Sequence, residues 1–246
     1  MNSIPESVKN FINQYFELKI KGQKVRCPYF INLNGILKSP VMSGKGTPVE
    51  IESIANTFLQ DLNDVNEEEI RTRMIDRGLG VDCSGLVYNI YDFWIGEKFE
   101  GKKSLRDFLP TVSILNIRKY LSRTFKPQNS ISADEFTSSP LANKIEIKEA
   151  RPGDLIRTRG GKHVLFITEV EKNDGLITKI KFVNSAREYK LNGVRYGEII
   201  FDENQSLNTA KWIDSPEEEV NFASKGYRES INSNGFFHPN LPLFED

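Results

Sequence analysis

Thiol and imidazole groups, which together can perform nucleophilic catalysis, are scarce in this 246-residue sequence: it has two cysteines and two histidines. Cys83 directly precedes an apolar pattern with helical spacing, so we expect its thiol at a helix N-terminus. There, unpaired backbone N–H groups and the positive end of the helix dipole favour a thiolate over a thiol. Ser84 and Gly85 follow and leave room for a substrate. These features predict that Cys83 is a nucleophile.

A thiol nucleophile needs a base, and imidazole is the side chain whose pKa suits that role near neutrality. His163 opens the apolar stretch HVLFITEV directly after a flexible segment that contains two glycines, so its ring can stand at the rim of a sheet. His238 lies in a proline-flanked segment near the C-terminus, which is a poor place for a precisely held base. We therefore predict that His163 is the general base.

A third group must orient the imidazole by accepting a hydrogen bond from its other nitrogen. In the strand KIKFVNSA, Asn184 shares a face with Ile180 and Phe182, which must point to the core. Ser185 has the opposite parity, and we expect it to point outward. Asn184 is therefore the predicted orienting residue, and Glu188 is the alternative if the strand contains a bulge.

The elements that must position these groups follow an α+β pattern, with helices first and strands later. Helical signals occur at the N-terminus, from Thr47, from Glu67 and from Cys83. Strand patterns occupy residues 154–158, 163–170, 179–186 and 194–201. Turn signals at 173–175 and 192–193 separate them, so we expect an antiparallel sheet.

We expect one domain over residues 1–246. It would carry helical insertions at about 35–78 and 95–150 and a coil-rich C-terminal extension at 202–246. Residues 98–126 contain eight Lys and Arg against two acids. This segment is interpreted as a solvated surface or, alternatively, as a positive rim for an anionic substrate.

Composition excludes several classes of function. The net charge of −1 does not favour nucleic acid as a partner, and no apolar run reaches the about 18 residues of a membrane span. The unrelated spacings of cysteine and histidine argue against a metal site, and no cofactor is expected. Two cysteines and an N-terminus without a signal-peptide pattern predict a cytoplasmic location, with export by another route as the alternative.

Three motifs resemble those of the NlpC-type cell-wall cysteine peptidases: DCSGLV at 82–87, RPGDLI at 151–156 and the strand histidine at 163–164. The resemblance implies a papain-like fold, in which a cysteine-bearing helix packs on an antiparallel sheet. It also implies amide hydrolysis in stem peptides of bacterial cell walls by Cys83, His163 and Asn184.

The resemblance extends to the residues around the nucleophile. Pro28-Tyr29-Phe30 is similar to an element that precedes the cysteine in that family, which implies that Tyr29 contacts the oxyanion or the substrate. Asp82 and Ser84 are implied as substrate-site residues. The stretch Gly44-Lys45-Gly46 has no counterpart there, and without a preceding strand it does not indicate a phosphate loop.

Two other functions remain as alternatives. The same scaffold can support a deamidase or an acyltransferase, because a fold does not determine the acyl acceptor. A catalytically silent binding module that keeps the pocket is the third interpretation. In each case the expected partner is a peptide, with a cell-wall peptide favoured.

Overall fold

The computed structural model describes residues 2–32, 39–61, 64–189, 191–203, 206–214 and 221–244. Within them the chain is α+β, as expected. The helices are α1 (Glu6–Gln14), α2 (Pro48–Phe58), α3 (Glu67–Asp76), α4 (Cys83–Lys98), α5 (Ile117–Phe125), α6 (Ala133–Phe136) and α7 (Phe222–Arg228). The strands are β1 (Leu18–Ile20), β2 (Gln23–Val25), β3 (Ala142–Ile145), β4 (Leu155–Thr158), β5 (His163–Asn173), β6 (Leu176–Ser185), β7 (Val194–Ile200), β8 (Lys211–Ile213) and β9 (Gly235–Pro239). In this described part no helix is long and apolar enough to cross a bilayer.

The chain forms two compact units, each assembled from separate stretches of sequence. Unit 1 comprises Met1–Lys9, Ser132–Asn184 and Arg195–Asp246. Unit 2 comprises Asn10–Ile131 and Ser185–Val194.

Unit 1 is built on a seven-stranded sheet with the order β3-β9-β4-β5-β6-β7-β8. The strand pairs whose register is described run antiparallel, which confirms the prediction. One face of the sheet packs into an apolar core that includes Ile156, Leu165, Phe182 and Trp212. The burial of these alternating side chains is the main free-energy gain that holds the strands together.

The turn between β5 and β6 confirms a prediction from local sequence. Asn173 pairs with Leu176, so the loop is the dipeptide Asp174-Gly175. Both residues have positive φ, 48° and 82°, as a type I′ turn requires.

The connection between β6 and β7 differs from the predicted tight turn. It contains a 3₁₀ turn at Arg187–Tyr189 and closes with a hydrogen bond from the Ala186 N–H to the Gly193 carbonyl. A Cβ on Gly193 would lie 2.0 Å from the Tyr29 backbone nitrogen. Glycine is therefore needed here for a close backbone approach and not for a turn conformation.

The C-terminal segment departs most from expectation. Where the sequence predicts coil, β9 lies between β3 and β4 and pairs with both. Strand β3 itself falls inside the stretch expected to be a helical insertion. A five-residue strand that ends in proline carries little local signal, and here two neighbouring strands supply its hydrogen bonds.

Unit 2 is mainly helical and is centred on α4. The first nine residues of this helix, Cys83–Tyr91, are all buried, and the small hairpin β1–β2 packs beside α2. Lys102, Lys103 and Arg106 of the basic segment are exposed, whereas Arg123 is buried.

Candidate active site

The thiol of the candidate site lies at the start of α4, as the apolar pattern predicts. Cys83 is the first residue of this helix and is 8% exposed. Asp82 is the N-cap, and its Oδ1 accepts a hydrogen bond of 2.6 Å from the Gly85 N–H. The cap fixes the first turn, so the helix N-terminus is held directly at the sulfur-bearing residue.

A lysine that the sequence interpretation left without a role completes this helix start. The Lys45 ammonium donates to Asp82 Oδ1 over 2.8 Å and to Ser84 Oγ over 2.5 Å. The Ser84 hydroxyl also donates to Asp82 Oδ1 over 3.1 Å. All three side chains are buried, so this is an ion pair inside the protein and not on its surface.

The backbone around Lys45 is held against α4 by several contacts. Lys45 forms an isolated antiparallel bridge with Val81, and the Asp82 N–H donates to the Gly44 carbonyl over 2.9 Å. A Cβ on Gly85 would lie 2.2 Å from that carbonyl oxygen. Gly85 of the DCSG motif therefore permits the close approach that brings Lys45 to Asp82.

A buried hydrogen-bond network also holds the Gly46 end of this loop. The Asn89 amide on α4 donates to the Gly46 carbonyl over 2.9 Å and to the Tyr15 hydroxyl over 2.8 Å. The Tyr15 hydroxyl donates in turn to the Gly46 carbonyl. Burial raises the pKa of Tyr15, so its hydroxyl remains a donor.

Tyr29 presents a protonated hydroxyl in unit 2. Burial raises its pKa, and negative charge on Cys83 and Asp82 raises it further. A cavity of about 320 Å³ adjoins the ring and is lined by Tyr29, Phe30, Ile31, Ile75, Arg187 and Leu191.

The imidazole of the candidate site lies in unit 1 at the first residue of β5. His163 is 8% exposed, and its Nε2 lies 3.3 Å from Asn184 Oδ1 on β6. Because the amide oxygen accepts only, the Nε2–H donates and Nδ1 carries the lone pair. The structure thus brings His163 and Asn184 together.

The expectation that the Ser185 side chain points outward to solvent is wrong. Ser185 is fully buried instead of pointing outward, and its hydroxyl donates to the Val81 carbonyl over 2.6 Å. Strand alternation reports exposure only while one face of the strand is solvated, and the last four residues of β6 are all buried. Glu188, the alternative orienting residue, lies in the 3₁₀ turn after β6.

His238 belongs to a separate cluster in unit 1. Its Nδ1 lies 2.5 Å from Asp154 Oδ1, and the Arg151 guanidinium contacts both ring nitrogens. Burial raises the pKa of Asp154. These contacts hold the ring of His238 within its own cluster.

The predicted site residues are therefore distributed over both units. His163 and Asn184 lie in unit 1, whereas Tyr29, Asp82, Cys83 and Ser84 lie in unit 2. Lys45 is the residue that sequence reasoning missed. Its local sequence, a lysine between Gly44 and Gly46, carries no signal for a contact with a residue 37 positions away.

Comparisons with known proteins identify no similar family, protein or structure. A scan against models of protein families finds no match to the chain, and neither a curated protein nor a solved structure matches it.

Proposed function

We propose that this protein is a cysteine hydrolase that cleaves amide bonds in peptidoglycan-type stem peptides. Cys83 is the nucleophile, His163 the general base, and Asn184 the residue that orients the imidazole. A papain-like arrangement, with the cysteine-bearing helix on the antiparallel sheet, is part of the same proposal. The motifs in the sequence that resemble the NlpC-type peptidases support the substrate class in this proposal.

The observation that carries it is the contact between His163 and Asn184. An imidazole at a strand start, held through Nε2 by a buried amide oxygen 3.3 Å away, has the tautomer that a thiol partner requires. The arrangement therefore supports a base.

The reaction follows from these groups. Nδ1 of His163 takes the thiol proton, and the Cys83 sulfur attacks the substrate carbonyl carbon. The same nitrogen then protonates the leaving amine as the C–N bond breaks. Water attacks the carbonyl carbon of the resulting thioester and gives a proton to Nδ1. The C–S bond then breaks, the carboxylic acid product leaves, and Nδ1 returns the proton to the Cys83 sulfur. The Tyr29 hydroxyl and backbone N–H groups at the start of α4 stabilise the negative oxygen.

Mass spectrometry of purified, soluble stem peptides tests the proposal. We expect two product peptides whose masses sum to that of the substrate plus one water, formed by the wild type and by Cys27→Ser. Cys83→Ala should form none. Stem peptides that remain intact with a wild-type protein whose Cys83 reacts with iodoacetamide would overturn the substrate assignment.

One observation favours a second candidate, a deamidase or acyltransferase with the same catalytic residues. Asp82 and Ser84, which the resemblance implies as substrate-site residues, are both engaged by the Lys45 ammonium. Both side chains are therefore occupied inside the protein, which departs from the substrate-site role that the resemblance implies. Conversion of protein-bound glutamine to glutamate by the wild type, without cleavage of stem peptides, would select this candidate.

A further inference from the structure

The buried ion pair at the start of α4 joins the Lys45 ammonium to Asp82, the residue directly before the candidate nucleophile. The side chains of Lys45 and Asp82 are only 8% and 4% exposed. A carboxylate is an effective N-cap, but its negative charge also opposes a thiolate on the next residue. The Lys45 ammonium touches that carboxylate and cancels its charge.

We propose that Lys45 is a positioning residue that keeps Cys83 reactive by neutralising the N-cap carboxylate of Asp82. The inference rests on the proposed function in one respect, the assignment of Cys83 as nucleophile. It assigns to the Gly44-Lys45-Gly46 loop the role of delivering an internal cation to the first turn of the catalytic helix.

The backbone geometry favours this role over that of an incidental contact. The Asp82 N–H bond to the Gly44 carbonyl and the bridge between Lys45 and Val81 determine where the lysine side chain starts. The absence of a Cβ at Gly85 allows that approach. A second partner, Ser84 Oγ, satisfies another proton of the ammonium, which limits the desolvation cost of the pair.

Asp82 and the Cys83 sulfur act on the same neighbouring group. Tyr29 experiences negative charge from both, and it also experiences Arg187 and Glu188 of the turn after β6. The Lys45 and Asp82 variants must therefore leave the neighbouring titratable and charged groups unchanged. These groups are Tyr29, Arg187, Glu188 and His163, the proposed base. Each variant below leaves all of them in place, except where His163 is replaced on purpose.

The test is the pH profile of iodoacetamide alkylation at Cys83, followed by mass spectrometry in a Cys27→Ser background. Lys45→Met should move the midpoint upward by about one pH unit, which makes alkylation about tenfold slower below the midpoint. Lys45→Arg, which keeps the cation, should stay close to the parent. The double variant Lys45→Met with Asp82→Asn, which removes both charges, should return to within about twofold of the parent rate.

A lone buried carboxylate could prevent Lys45→Met from folding, so Asp82→Asn provides an independent measurement. Asparagine retains the cap but leaves the ammonium without its counter-charge, and the midpoint should then move downward. An unchanged or higher midpoint for Asp82→Asn would overturn the inference. The inference would also be overturned if the double variant showed the same upward shift of the alkylation midpoint as folded Lys45→Met. The effect of Lys45 would then be structural and not electrostatic.

The same measurement separates this inference from the proposed function. In a His163→Asn background, the shift caused by the Lys45 variants should persist, because it acts through Asp82. If His163→Asn itself leaves the alkylation profile unchanged, the proposed base is wrong while the role of Lys45 stands. If the Lys45 shift is absent in both backgrounds, the role of Lys45 fails while the proposed base is still judged on its own variant.

Discussion

The two cysteines show how far the surroundings of one residue decide its chemistry. Cys27 is fully buried, its thiol faces the Pro28 carbonyl at 3.6 Å, and burial raises its pKa. Cys83 is slightly exposed and begins a helix. Both are reduced thiols. The second therefore has the more accessible sulfur and lies at a helix N-terminus.

We therefore expect iodoacetamide to label Cys83 and not Cys27 in the folded protein at about pH 7.5, because only the thiolate reacts. Raising the pH by about one unit should not release Cys27, since its raised pKa keeps it protonated. Peptide mass spectrometry after a timed reaction measures both sites, and urea-unfolded protein is the control in which both should react. Equal labelling of the two thiols in the folded state would contradict this expectation.

The contact of Asn184 with His163 predicts the effect of replacing Asn184. Asn184→Ala should lower kcat/KM by about a hundredfold or more, because the imidazole loses the group that holds its tautomer and orientation. Asn184→Asp is the matched control, since it keeps the acceptor oxygen. It should retain more activity, and its pH profile should move upward because the added charge stabilises the imidazolium. An alanine variant with wild-type kcat/KM would exclude the proposed orienting role.

Among the elements, helix α4 contains two glycines that differ in whether a side chain would fit at their position. A Cβ at Gly85 would lie 2.2 Å from the Gly44 carbonyl oxygen, whereas a Cβ at Gly96 meets no atom within 4 Å. Gly85→Ala should therefore lower the free energy of unfolding by about 2 kcal/mol or more through the forced shift. Gly96→Ala should raise it by about 0.5–1 kcal/mol from helix propensity. Urea unfolding measures both, and equal effects would show that the Gly44–Lys45 loop yields without cost.

For the sheet, the burial of strand β9 predicts how much a core substitution on that strand lowers stability. Phe236 on this strand is 1% exposed and belongs to the apolar core of unit 1. Phe236→Ala should lower the free energy of unfolding by about 3–5 kcal/mol, because it leaves a cavity in that core. Leu176→Ala is the control at a residue that is 52% exposed, and it should change stability by less than about 0.5 kcal/mol. A small loss for Phe236→Ala would place β9 outside the core.

At the scale of the whole molecule, neither unit is a continuous stretch of chain. Residues 185–194 return to unit 2 and contribute hydrogen bonds from Ser185 to Val81, from Val194 to Cys27 and from Arg71 to Asn192. At about 1 kcal/mol each, these bonds amount to a large share of the stability of a small unit.

A fragment of residues 10–131 should therefore unfold at a lower urea concentration than the same fragment with residues 185–194 attached through a Gly-Ser linker. We expect a difference of about 2–3 kcal/mol, because the linked segment restores those three hydrogen bonds. Circular dichroism in a urea series measures both fragments. Coincident unfolding curves would show that unit 2 does not need its second segment.

Sequence patterns predicted those parts of the fold and site that neighbouring residues determine. The helix start at Cys83 follows from the periodic apolar face after it, and the β5–β6 turn follows from the Asp174-Gly175 dipeptide. Asn184 was found because its parity matches that of Phe182 along one strand. The helix and turn signals lie within a few residues of the features that they predict, so local chain conformation produces them. Parity indicated the face on which Asn184 lies, and the pairing of β5 with β6 brought it to His163, 21 positions away.

Only the tertiary structure decided the features that join distant parts of the chain. Lys45 reaches Asp82 across 37 positions, and Ser185 reaches Val81 across 104. Strand β9 exists because β3 and β4 lie on either side of it. No local period specifies such contacts. They arise when packing excludes water and each buried polar group must find whichever partner the fold brings within reach.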